Sequence, residues 1–236
     1  MTLLRTATAF AGALLLAGAL NAAAAATVSF TQLSGFAGGG LSPQTVVFRA
    51  DLSSLAGDAI TSVTITDANV IAGSTGRFSG FDVDAVVLST VLITSGTQVG
   101  SLTPAATFDF AGAVLVPGTR TPPEEAGLPL FGHNPDGSLN NAIATLGVFD
   151  GVATNVIPGA FGFVSLGFGG SLTLNLTAPL PLDGTPLYLY IGEVGGGEQA
   201  IGSVTVTATA VPEPMSLALF GAALAGLGLV RARRRA

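Results

Sequence analysis

The sequence predicts an all-β protein: a β-sandwich or jelly-roll body set between a cleaved leader and a single carboxyl-terminal membrane helix. Three observations predict the body. Val63 and Ile65 alternate with Ser62, Thr64 and Thr66; Leu172, Leu174 and Leu176 alternate with Ser171, Thr173, Asn175 and Thr177; Val204, Val206 and Ala208 alternate with Thr205, Thr207 and Thr209. A period of two puts successive side chains on opposite faces, so each segment is a strand with one wet face. Charged residues make up only 9% of the chain, and Gly, Thr, Ser and Val dominate a body without helical heptads, which is a strand composition. Clusters of Gly, Pro, Asp and Asn at 38–40, 135–137 and 195–197 punctuate the pattern at sandwich spacing.

At the amino terminus, Arg5 and the free amino group form a thin positive region, residues 7–20 are apolar, and Ala22 to Ala26 offer small-x-small cleavage sites. This is the layout of a secretory signal peptide, residues 1–26, cut after Ala24 or Ala26 to leave a mature chain beginning near Thr27. An apolar stretch of about 14 residues falls short of the ~17 to 25 that a permanent span requires.

Residues 27–210 keep three basic residues (Arg49, Arg77 and Arg120), no lysine and thirteen acidic residues, a net charge of −10. Such a surface repels nucleic acid and anionic headgroups and favours cations or neutral polymers. The chain has no cysteine, so no disulfide staples the fold and an apolar core must hold it. Beyond the alternating strands, further strands are expected at 45–52, 81–93, 113–116, 161–166 and 187–191. Segment 119–141 carries Pro122, Pro123, Pro129 and Pro135. It cannot be a central strand, and reads as a long loop and a candidate boundary between two lobes.

The last 26 residues read VPEPMSLALFGAALAGLGLVRARRRA. Pro212 and Pro214 forbid helix through the junction and leave an extended backbone there. Residues 215–230 are apolar, with Ser216 their one uncharged polar side chain. As a helix they reach roughly 24 Å, which spans a ~30 Å hydrocarbon core once arginine stems snorkel. Arg231, Arg233, Arg234 and Arg235 stay on the cytoplasmic side, so everything before Val211 lies across the membrane. Val211, Pro212, Glu213 and Pro214, the apolar helix and the arginine cluster together resemble the PEP-CTERM sorting signal of Gram-negative bacteria. The resemblance implies recognition by an exosortase, a membrane-embedded cysteine transpeptidase-like enzyme, and delivery of the body to the cell surface or an exopolysaccharide matrix.

A second resemblance covers residues 146–210. LGVFDG from Leu146, FVSLGFGGSLTLNLTAPL from Phe163 and LYLYIGE from Leu187 are similar to the discoidin-type, galactose-binding-like β-sandwich. It implies that Asp150 and Gly151 close a turn, that Gly167, Gly169 and Gly170 make a tight hairpin, and that Glu193 follows the next strand. Thr185 and Pro186 stand where that pattern carries an aspartate, and no further strands follow before the tail. The amino-terminal strands are therefore expected to complete one shared fold.

Histidine and cysteine counts limit the chemistry. His133 is the only histidine, in a Pro-rich loop where a solvated ring is the default, and no G-x-S-x-G elbow is present. A His or Cys metal site is excluded. Calcium, which takes oxygen ligands alone, has two candidate sites: Asp82 with Asp84, two apart on one strand, and Asn134 with Asp136, alternating with Ser138 and Asn140 in a glycine-containing loop. Neither has the glutamate that closes an EF-hand loop, and surface carboxylates in Asx turns are the plainer reading. Tyr188 and Tyr190 share one strand face and form the candidate sugar platform; a core-edge role competes. Two functions follow: a non-enzymatic surface or matrix protein associated with exopolysaccharide, or a secreted carbohydrate-active hydrolase using two carboxylates.

Overall fold

Two five-stranded antiparallel sheets carry the chain. The structure, a computed structural model, describes residues 24–37, 44–55, 58–69, 74–122, 127–151, 162–195 and 203–210. Residues 1–23 of the leader and the whole sorting tail, 211–236, lie outside them. Among the described residues no helix is long and apolar enough to cross a membrane.

The strands are β1 (Ala24–Val28), β2 (Thr31–Ala37), β3 (Thr45–Asp51), β4 (Asp58–Thr66), β5 (Asp82–Ser89), β6 (Phe108–Val116), β7 (Val164–Ser165), β8 (Ser171–Pro181), β9 (Tyr188–Val194) and β10 (Ser203–Ala210). One sheet, A, has the order β1-β10-β4-β8-β6, and the other, B, the order β2-β3-β9-β5-β7. One core lies between them. Val63, Ile65, Leu172 and Leu174 of sheet A meet Phe48, Val86, Leu88, Leu189 and Ile191 of sheet B in a single cluster. The all-β expectation holds.

Strands from both sides of segment 119–141 interleave in both sheets: β8 lies between β4 and β6, β9 between β3 and β5, and β10 between β1 and β4. The expected division into two lobes is therefore corrected, since neither half has a core of its own. The described part of segment 119–141 also carries buried side chains. Leu130, Phe131, His133 and Leu139 are buried in it, with Phe131 stacked on Phe163 at 4.5 Å between ring centroids.

Sheet A keeps one wet face and sheet B has none. The outer side of sheet B is covered by Leu33, Ala37 and Ile93 packing on Val47 and Tyr190, and further along by Phe131 and Phe163 on Val194. Every residue of β5 is buried. A strand dry on both sides carries an apolar run rather than an alternation, which is why VVF in β3 and AVVL in β5 lack the period seen in β4 and β8. The strand expected over 81–93 stops at Ser89, whose hydroxyl turns back to the Thr103 carbonyl at 2.8 Å. β1 begins at Ala24, inside the stretch read as leader, and pairs with β10 from Ala24↔Ala208 to Val28↔Val204. The hairpin at Gly167 needs glycine on both sides of a close approach. Gly80 and Gly167 have φ of 75° and 74°, and a Cβ at Gly80 would overlap the Gly167 carbonyl.

Candidate functional site

The most heavily built polar site lies on the outer side of sheet B, where Thr45 of β3, Asp84 of β5 and Gly192 of β9 adjoin. Gly192 leaves the space: a Cβ there would stand 2.8 Å from Thr45 Cγ2 and 3.1 Å from both Asp84 Cβ and Phe149 Cδ1. Segment 145–151 closes over it. The Thr45 hydroxyl donates to Asp84 Oδ2 at 2.5 Å and the Gly151 amide donates to Asp84 Oδ1 at 3.0 Å. Beside it, the Thr145 hydroxyl donates to Asp150 Oδ2 at 2.7 Å, while Asp150 Oδ1 is buried with no hydrogen-bond partner.

Burial pushes the Asp84 carboxyl up to about 8; the Thr45 hydrogen bond opposes this, and the neighbouring Asp150 charge adds to it. At neutral pH Asp84 is thus largely a carboxylic acid, held by Thr45 and the Gly151 amide beside Asp150. A glycosidase pair holds its carboxyls either side of a sugar, whereas Asp84 is sealed under its loop with no exposed surface. The arrangement can latch segment 145–151 to the sheet.

The sequence-derived candidates come out differently. Asp82 and Asp84 were expected at the surface as calcium ligands, and both are buried, because sheet B is covered on its outer side. In the loop candidate, Asp136 Oδ1 accepts from the Ser138 amide at 2.9 Å and the Ser138 hydroxyl at 2.6 Å, bonds that hold its carboxyl below the usual range. Asn134 donates its amide to Ser138 Oγ at 2.9 Å and to the Leu139 carbonyl at 3.2 Å, and Asn140 Oδ1 accepts from the Ala142 amide. These are turn bonds. Among the described residues no three His, Asp or Glu groups converge as a metal site.

Tyr190 is fully buried; its hydroxyl donates to the Val91 carbonyl at 2.9 Å and accepts from the Ile93 amide at 3.0 Å. It rivets residues 91–93 to β9 and offers no sugar platform. Tyr188 is half-buried, 6.3 Å from the Tyr190 ring, with the Arg49 guanidinium 6.0 Å from its own. Arg49 in turn donates to the Ile93 carbonyl. Glu193 lies inside β9 and is buried, not beyond the strand as the discoidin resemblance implies.

His133 is buried rather than solvated, with Nε2 2.7 Å from the Ser165 carbonyl. Burial pulls its pKa below the usual value, and the charge of Arg120 adds to this. The ring and Arg120 line a pocket of about 290 Å³ between the 117–120 segment and the 129–137 turn.

The outer side of sheet A has another chemistry. In register, Thr27, Thr205, Thr64, Thr173 and Val114 form one row across all five strands, and Thr207, Ser62, Asn175 and Asp109 lie in the next. The Thr64 and Thr173 hydroxyls are hydrogen-bonded at 2.9 Å.

Sequence reasoning missed the Asp84–Asp150 pair and the Arg120 pocket. Asp150 was visible only as a turn residue, and the register shift between Val83 and Val86 that sets the Asp84 segment has no glycine or proline to mark it. No family model matches the chain, and no curated protein or solved structure matches it.

Proposed function

We propose that the chain is an exported, non-enzymatic cell-surface or matrix protein, sorted by an exosortase through its tail and associated with exopolysaccharide. The observation that carries this reading is the order of three chemistries in the sequence of residues 211–236: a Pro212-Glu213-Pro214 triplet, an apolar segment, and four arginines. The leader supports it from the other end.

The body is read as a jelly roll. Its four-strand series β1-β10-β4-β8 and β3-β9-β5-β7 have the nested order of that fold, with β2 and β6 added at edges. The hydroxyl-bearing rows of sheet A, uncharged apart from Asp109, suit a hydrated neutral polymer. The non-enzymatic part of the reading is supported by the burial of Asp84.

The test is processing. Glu213→Ala keeps both prolines and the apolar segment but removes the one charged group on the outer side of that segment, so intact membrane-held precursor should accumulate. Replacing Arg233, Arg234 and Arg235 by Ala weakens retention of the cytoplasmic end, giving mis-anchored or uncleaved secreted chain. Immunoblots of membrane, surface and medium fractions separate the two. Normal maturation of Glu213→Ala in a host with an exosortase overturns the sorting mechanism.

A further inference from the structure

The three arginines of the body have different employment. Arg49 bonds the Ile93 carbonyl and lies by Tyr188; Arg77 lies over the Phe131 ring at 5.1 Å and the Phe78 ring at 5.8 Å. Arg120 makes no ion pair or hydrogen bond among the described residues. On a body of net charge −10, it is, among the described residues, the arginine that an anion can meet without displacing a partner.

Its backbone is fixed on both sides. Thr119 exchanges two hydrogen bonds with Phe168, at 3.0 and 2.8 Å, and Thr121 takes the Gly76 amide on its carbonyl and gives its own amide to Ser79 Oγ. The opposite wall is a locked turn: the Asn134 amide bonds the Ser138 carbonyl, the Gly137 amide the Asn134 carbonyl, and the His133 amide the Leu130 carbonyl. The pocket between is therefore preformed, which reduces the ordering that binding requires.

The Ser165 carbonyl can only accept, so the neutral His133 ring carries its proton on Nε2 and leaves Nδ1 as an acceptor. Nδ1 makes no hydrogen bond within the described protein and is not among its sealed polar atoms. Pro117, Pro129, Leu130 and Pro135 supply apolar wall between the two polar groups. A planar cation fork suits a carboxylate, a nearby acceptor suits a hydroxyl, and C–H walls suit the face of a ring. At about 290 Å³ the pocket lies at the small end for ligand sites, enough for one ring.

We propose that this pocket binds a single carboxylate-bearing sugar, a uronic acid residue, with Arg120 holding the carboxylate and His133 Nδ1 accepting from a neighbouring hydroxyl. That the sugar belongs to a polysaccharide rests on the functional reading above; the site rests on the geometry of Arg120 and His133. Calorimetric titration of the full-length chain in detergent with glucuronate, glucose and acetate tests it. Glucuronate should bind at least tenfold more tightly than glucose or acetate, and Arg120→Gln should lose that binding at an unchanged melting temperature. Glucose binding as well as glucuronate, undiminished binding by Arg120→Gln, or no glucuronate binding up to about 50 mM each overturns the proposal. A glucuronate disaccharide supports it by binding more tightly than the monosaccharide, which assigns a polymer as source, or less tightly, which assigns the free sugar. Because the titration needs no processing, its failure leaves the sorting mechanism standing, and failed sorting leaves the pocket.

Discussion

Raising the pH should loosen this protein, and Asp84 is the reason. Its folded pKa, pushed up to about 8 by burial and by Asp150, stands well above the value near 4 of an unfolded aspartate. Between those values the folded chain holds a proton that the unfolded chain has released. Stability from this group is therefore complete below pH 4 and is lost as pH rises towards 8.

His133 works in the opposite sense. Its folded pKa is depressed, so it subtracts stability as pH falls below the unfolded value of about 6.5. From pH 6.5 to 8 the His133 effect is small, since even its unfolded ring is at most half protonated there. There Asp51, Asp136 and Asp183, held low by hydrogen bonds from Ser53, Ser138 and Thr185, are ionised in both states, and Tyr190, pushed up chiefly by burial, is protonated in both. Over that window Asp84 removes about 2 kcal/mol at ~1.4 kcal/mol per pH unit. For a body of this size the melting temperature should fall by about 4 to 8 °C.

Thermal melts followed by far-UV circular dichroism in a pH series give the slope. Asp84→Asn keeps the shape but cannot ionise, and should flatten the slope between pH 6.5 and 8. Asp150→Asn, which removes the neighbouring charge, should reduce it in part. A native melting temperature constant from pH 6.5 to 8, or an Asp84→Asn variant declining in parallel with the native chain, refutes the reasoning from Asp84.

Tyr190→Phe should destabilise by about 1–3 kcal/mol, because the Val91 carbonyl and the buried Ile93 amide lose their partner together; urea melts measure this, and a change under about 0.5 kcal/mol contradicts the rivet. Calcium should not matter. Chelator and millimolar calcium should give superimposable melts, since the Asp136 turn already spends its oxygens on Ser138 and Asp84 is sealed; a shift of more than about 2 °C restores the calcium sites.

What the sequence revealed followed the wetting of each sheet. β4, β8 and β10 announced themselves because sheet A faces water on one side and alternation is then enforced. In sheet B, β3 and β5 appeared only as apolar runs, whose positions were readable but whose faces were not. Asp82 and Asp84 consequently looked like two exposed carboxylates on one strand. The layer that buries them comes from residues over sixty positions away, such as Phe149 and Gly151, and no local pattern encodes it. β2 was missed for another reason: a register shift between Gln32 and Phe36 breaks its period. His133 was misread because prolines mark a segment as irregular without marking it as exposed.

The uneven layering also decides where a partner can sit. Sheet B is covered on both faces, so a large ligand must use sheet A or the loops. Sheet A offers threonine and serine rows, in which the Thr64 and Thr173 hydroxyls are already paired with each other. Exchanging such bonds for a ligand's hydroxyls gains little each, which suits many weak contacts with a hydrated polymer and gives little discrimination. Its edge strand β6 leaves Val114 and Val116 exposed, yet the register shift between Asp109 and Val114, with the Gly112 amide bonded to the Asp109 carboxylate, interrupts the row that another strand would need. Broad adhesion on sheet A therefore needs a separate source of selectivity. A charged group in a fixed pocket supplies it, and Arg120 is the arginine that no partner among the described residues engages.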